Sequence, residues 1–299
     1  MTSPMWAPIN EYIKSLQNGQ LPALHHYTDL KGAIGILDSG RMWFSDRTIL
    51  NDSTEISHGV EIAKDILRST FSAQVQTEFE TATRDILHNY CFFSASYSLN
   101  MNDPYQWRHY GDLGRGVMLS FKASSVANPK RFVDSYIPGN PSAVVLPMSY
   151  AEHDLKGLIQ KIICAWDTKN ILELTDCILI ASSMFKDSKW RKEHEYRFLI
   201  HARRDVISRD SIFKYRVSNG KLGPYLEMPI QNWNDTVNFP VCAITVGPIS
   251  PEGTEDQLRY FMQWKYPKVK VQDIKRADLD EEPIEQGSRP ATGIPVGGA

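Results

Sequence analysis

The sequence predicts one α+β domain over residues 24–276, with a lead-in helix inside residues 1–23 and a disordered tail over 277–299. Three observations carry this reading. Leu24 to Ser45 reads as strand, helix, strand. Beyond it, short apolar runs of strand length are mixed with segments of helical period. No internal repeat and no linker divides the chain before Ala277.

Each element has its own warrant. Asn10 to Leu16 forms the lead-in helix, and Leu24 to Tyr27 the first strand. Thr28 is placed to cap the next helix, in which Leu30, Ala33, Ile34 and Leu37 recur at helical spacing and which Gly40 ends. Met42 to Ser45 is the second strand. Asn51-Asp52, in the loop from Asp46 to Ser53, suits a turn or helix entry. Ile56, Val60, Ala63 and Leu67, then Val75, Phe79, Ala82 and Ile86, mark two amphipathic helices. Tyr90 to Ser94 is an apolar strand, Ser96 to Pro104 a polar loop, Tyr105 to Tyr110 a helical turn and Gly111 to Gly116 a glycine-rich turn. Strands follow at Val117 to Phe121 and Ala143 to Tyr150, then one long helix over Asp154 to Met184. A strand at Glu193 to Ile200 precedes a hairpin of Phe213 to Val217 and Tyr225 to Pro229 around Asn219-Gly220. Val241 to Val246 is a strand, Glu252 to Phe261 a helix and Val269 to Asp273 the last strand. The tail is acidic, then rich in Gly, Pro and Ser.

Composition excludes several function classes. A net charge of −2 on 299 residues leaves no global footprint for nucleic acid or an anionic membrane. The local basic clusters, Lys186 to Lys192 and Arg203 to Arg216, read as solvated surface. No apolar run approaches the ~20 residues of a membrane helix. Met1 to Pro8 lacks a basic region followed by an apolar core, so no secretory signal is expected. Cys91, Cys164, Cys177 and Cys242 form no CxxC pair, and their apolar neighbours suit buried reduced thiols, which places the protein in a cytoplasm.

The stretch from Lys189 to Ile200 is the most informative. On a strand, Glu193, Glu195, Arg197 and Leu199 share one face, and His194, Tyr196, Phe198 and Ile200 the other. A charged strand face is ordinarily the wet side of a sheet, with a cross-strand ion pair. The sharper reading is a pair of catalytic carboxylates on a rigid element, with Arg197 keeping both ionised. There is no GxGxxG after a strand, no phosphate loop and no GxSxG elbow. His25 and His26 have no partner at metal spacing, and His109 sits between Trp107 and Tyr110 in an aromatic cluster.

The order of pieces along the chain adds a resemblance. The pieces are His26-Tyr27-Thr28; Ile36 to Ser45; Asn51-Asp52 with Glu55; Cys91 to Ser94; Trp107-Arg108-His109-Tyr110-Gly111 with Gly116; Trp190-x-x-Glu193-x-Glu195-x-Arg197; and Val246-Gly247-Pro248. This set resembles a bacterial family of unknown function. The layout is also similar to the ADP-ribosyltransferase superfamily, in particular its His-Tyr-Glu branch. The resemblance spans roughly Leu24 to Asp273.

That resemblance implies split mixed and antiparallel sheets with flanking helices, the two helices between about 53 and 88 being an insertion. It implies NAD as substrate, in a pocket drawing on His26, Tyr27, Thr28, Trp43, Ser45, Trp107, Tyr110 and Arg197. By it, His26 hydrogen-bonds a ribose hydroxyl and Tyr110 stacks on nicotinamide, with Tyr27 or Trp43 as substitutes. Glu195 binds the ribose 2′-hydroxyl, and Glu193 orients or deprotonates the acceptor. The expected activity is ADP-ribosyl transfer to a protein or nucleic acid, or NAD hydrolysis, by a bacterial toxin or anti-phage effector with an antitoxin as partner. The alternative is a non-catalytic nucleotide or nucleic-acid binding module using His26, Trp107 and Tyr110.

Overall fold

The opening strand, helix and strand form as the sequence predicts, and they position everything else. The structure is a computed structural model describing residues 4–278, apart from 17–22, 50–54, 123–124, 126–132, 136, 138–141, 168, 209–211, 219 and 271–272. Asn51-Asp52, Asn219 and the expected tail beyond 278 lie outside the described residues. In chain order the elements are α1 (Ala7–Leu16), β1 (Leu24–Thr28), α2 (Leu30–Ser39), β2 (Arg41–Asp46), α3 (Glu55–Thr70), α4 (Ala73–Asn89), β3 (Tyr90–Ser98) and α5 (Pro104–His109). They continue with β4 (Val117–Phe121), β5 (Ser142–Pro147), α6 (Glu152–Ala165), α7 (Ile171–Ser182), β6 (Glu195–Arg203), α8 (Arg204–Ile207), β7 (Phe213–Ser218), β8 (Lys221–Pro229), β9 (Val241–Val246), α9 (Thr254–Lys265) and β10 (Asp273–Arg276). No helix among the described residues is long and apolar enough to cross a membrane.

The strands form one mixed sheet in the order β10-β9-β4-β1-β3-β2-β8-β7, with β6 on β3 and β5 on β6. Among these strands only β10 and β9 run parallel; the other pairs are antiparallel. β3 is the hinge of this topology. One of its edges pairs with β6 from Tyr90 to Ser98. The other edge is shared: β1 meets it at Ser98 and β2 meets it at Phe93 and Ser94. Between those contacts β1 and β2 diverge, so the sheet forks beside Ala95, Ser96 and Tyr97.

The two faces of the sheet bury different layers. Phe93, Ala95 and Tyr97 of β3 and Tyr196, Phe198 and Ile200 of β6 join a core with Leu37 of α2 and Leu258 of α9. Phe92 and Leu199 face the opposite way, into a second core built with α3, α4, α6 and α7. This period-two partition is what a sheet covered on both faces requires.

Five expectations need correction. Asp29, not Thr28, caps α2, its carboxylate accepting from the Gly32 amide at 2.6 Å. β3 continues through Ser96 to Ser98 where a loop was expected. The long helix over 154–184 is two helices, because Asn170 starts α7 by accepting from the Glu173 amide. The last strand begins at Asp273, where it was expected to end. Cys164 is exposed rather than buried.

Candidate functional site

The charged row is buried, which overturns the solvated-face reading. Glu193, Glu195 and Arg197 are each 3% exposed. Glu193 also lies outside the strand: residues Ser188–Glu193 form a 3-10 helix, and His194 breaks into the left-handed region at φ 43°, ψ 44° before β6 starts. That bend, not strand alternation, brings the two carboxylates together. Gln106 Nε2 and Ser98 Oγ both donate to the Glu193 carbonyl, at 2.6 and 3.1 Å, and fix the turn.

Glu195 is saturated. Its Oε1 accepts from Ser96 Oγ at 2.5 Å and from Arg197 Nε at 2.7 Å. Its Oε2 accepts from Arg197 Nη2 and from Lys186 Nζ, each at 3.0 Å. A carboxylate offers about four acceptor positions, and all are filled. Lys186 Nζ also lies 2.5 Å from Glu193 Oε2, so it bridges the two carboxylates. The Tyr110 hydroxyl donates to the other Glu193 oxygen. Among the described residues, two anions and two cations thus meet in a buried quartet, as desolvated charges demand.

The environment separates the two acids. Burial raises the Glu193 carboxyl above the usual range, opposed by Lys186 and the Tyr110 hydrogen bond and reinforced by the Glu195 charge. Burial would raise Glu195 too, but the Arg197 guanidinium, Lys186 and Ser96 outweigh it and bring it down to about 2. Adjacent carboxyls pushed apart in this way can divide acid–base work from electrostatic work.

The other sequence candidates fall in three places. His26, half-buried, donates through Nδ1 to the Ser96 carbonyl at 3.0 Å; a carbonyl partner means that Nδ1 carries the proton. Burial lowers its pKa, against the effect of that hydrogen bond. His26 and Glu195 therefore meet at one residue, Ser96, whose backbone and side chain serve one each. Tyr27 and Trp107 are core. Trp107 is fully buried against Tyr27, with ring centroids 4.9 Å apart. The Tyr27 hydroxyl donates to the Asn100 carbonyl and accepts from the Asp103 amide, holding the loop that leads to α5. Thr28 ends β1 opposite Val117. Trp43 and Ser45 lie on β2 with Arg216 and Tyr225, apart from the glutamate quartet.

Sequence reasoning missed Lys186, Ser96 and Tyr150, whose hydroxyl accepts from the Glu195 amide at 2.9 Å. Lys186 was grouped with a solvated basic cluster, yet its side chain is 8% exposed. Ser94, Ser96 and Ser98 do carry a period-two signal, broken by apolar Ala95 and Tyr97. A surface groove lined by Arg41, Pro229 and Trp233 lies at the Gly40 end of α2 and includes none of the quartet.

Together these features define a buried acid–base cluster at the fork of a mixed α/β sheet. Residues 106–198 match a family model described as a protein of unknown function, DUF2971. The match takes in Tyr110, Lys186, Glu193, Glu195 and Arg197, and it leaves out His26 and Ser96. It agrees with the resemblance to a family of unknown function over a narrower span, less than half of the chain. No curated protein and no solved structure matches the chain.

Proposed function

We propose that the chain is an NAD-consuming, ADP-ribosyltransferase-like enzyme. The observation that supports this reading is the pair Glu193 and Glu195, bridged by Lys186, with one carboxyl raised and the other lowered. In the proposed step, the bond from ribose C1′ to the nicotinamide nitrogen breaks and its electron pair leaves with nicotinamide. Positive charge builds on the ribose, and a fixed carboxylate such as Glu195 stabilises it. The acceptor, on a protein, a nucleic acid or water, bonds to C1′ and loses its proton to Glu193, whose raised pKa makes it the better base. The Tyr110 hydroxyl and Lys186 hold Glu193 in place, and His26, ordered by Ser96, is the ribose contact at the fork.

A second reading is a non-catalytic nucleotide-binding module. The filling of every acceptor position on Glu195 favours it, because the carboxylate then has no position left for a hydroxyl of the substrate. Release of nicotinamide from NAD separates the two. Release by the wild type that is lost in a folded Glu195→Gln variant supports the enzyme. Absence of release, with protein and nucleic-acid acceptors supplied, leaves the binding module.

A further inference from the structure

We infer that Arg216, Ser45, Trp43 and Tyr225 form a subsite for a nucleotide, with phosphate on the Arg216 guanidinium and the base ring on Trp43. The four residues come together through strand register. Ser45 pairs with Tyr225 and Trp43 with Glu227 across β2 and β8, while Arg216 comes from β7 beyond them. Met42, Phe44, Leu226 and Met228 point into the core, so Trp43, Ser45 and Tyr225 project from the opposite face. Ser45 also pairs with Ser94, which places this cluster on the same sheet face as Ser96 and Glu195. Ser94 and Ser96 are two strand positions apart, about 7 Å along β3.

Arg216 is held, yet its hydrogen-bonding capacity is largely unspent. Its guanidinium carbon lies 5.1 Å from the Trp43 ring centroid and 5.5 Å from that of Tyr225. Nη2 donates to Ser45 Oγ at 2.7 Å, and Nε is buried without a hydrogen-bond partner among the described residues. Two other arginines behave differently: buried Arg197 is paired with Glu195, and half-buried Arg276 with Glu255. Glu227, two residues beyond Tyr225 on β8, is bound to Lys214. A planar fork of five N–H donors, partly desolvated and held beside two rings with no carboxylate contact among the described residues, matches a phosphate group. Trp43 stays 46% exposed beside it, a large aromatic face open to solvent and suited to stacking on a base. The inference concerns binding and stands whether or not the transfer reaction does.

The test is calorimetric titration of the full chain with ADP, adenosine and inorganic phosphate. ADP should bind more tightly than either fragment. Arg216→Gln should weaken ADP at least about 10-fold while leaving adenosine unchanged, and Trp43→Ala should weaken ADP and adenosine together. Arg216→Lys, which keeps the charge but loses the fork, should fall between wild type and Arg216→Gln, and it guards against misfolding of the larger change. ADP affinity unchanged in a folded Arg216→Gln variant, or no ADP binding at millimolar concentration, overturns the subsite. Nicotinamide release by the wild type with an unaltered KM for NAD in Arg216→Gln would also overturn it and leave the enzyme reading intact.

Discussion

Arg197 grips Glu195 two residues before it on the same strand, Nε on Oε1 at 2.7 Å and Nη2 on Oε2 at 3.0 Å, with both side chains 3% exposed. Removing one partner of such a pair strands a buried charge, which costs about 3–5 kcal/mol. Arg197→Met should therefore destabilise the protein by that amount in urea unfolding. The double variant Glu195→Leu/Arg197→Met should recover part of the loss, because the buried carboxylate that lost its guanidinium partner is gone as well. Equal losses in the single and double variants would show that the pair is not energetically linked.

The same contacts set an acid limit. The folded pKa of Glu195, about 2, lies below its ordinary value of 4.5, so its contribution is present above pH 4.5 and is lost as pH falls towards 2. Glu193 is shifted upward and works in the opposite sense, losing its contribution as pH rises through its folded value. Unfolding followed from pH 6 to pH 2 should show a falling limb in the wild type that is shallower in Glu195→Gln. Glu193→Gln should leave that limb in place.

How much of this was legible in the sequence depends on the range of the cause. The Glu195 and Arg197 pairing follows from period-two alternation, which is local. β1, α2 and β2 are marked by Leu24, Ala33, Leu37, Gly40 and Phe44, whose spacing and φ preference act within a few residues. The burial of the charged row was not legible, because the cover comes from Lys186, Tyr150 and Tyr110, on other segments. Ser96 opens a stretch to Pro104 that reads as polar loop, yet its hydroxyl donates to the buried Glu195 carboxylate, a partner on another strand. Glu193 was placed on the strand because nothing in hydropathy marks the left-handed turn at His194.

That turn has its own test. A non-glycine residue in the left-handed region costs roughly 1–2 kcal/mol, and β-branching raises the cost. His194 is exposed, so substitution there alters the backbone term with little change in packing. His194→Val should destabilise by at least about 1 kcal/mol, whereas His194→Gly should stay within about 1 kcal/mol of wild type. Chemical denaturation of both variants decides it, and a neutral His194→Val would mean that the bend relaxes without strain.

A second acid, half-buried, lies away from the quartet. Asp176 on α7 sits with Oδ1 3.4 Å from Nδ1 of His201 on β6, too long for a good hydrogen bond, and that oxygen has no hydrogen-bond partner among the described residues. The His201 ring is stacked between Tyr90 and Phe92, at 4.8 and 4.3 Å. Burial, with the Glu173 charge, pushes Asp176 up from 3.8 to about 7, and burial brings His201 down from 6.5 to about 3. The two slopes oppose each other. Asp176 contributes stability in its protonated form, lost as pH rises from about 4 through 7, while the His201 contribution is present above 6.5 and lost as pH falls towards 3. Asp176→Asn removes only the first. It should raise the urea midpoint above pH 7, where the wild type must ionise a desolvated carboxyl, and the gain should shrink towards pH 4. A gain of equal size at both ends would show that burial does not hold the acid neutral, and that the amide packs better than the carboxyl for another reason.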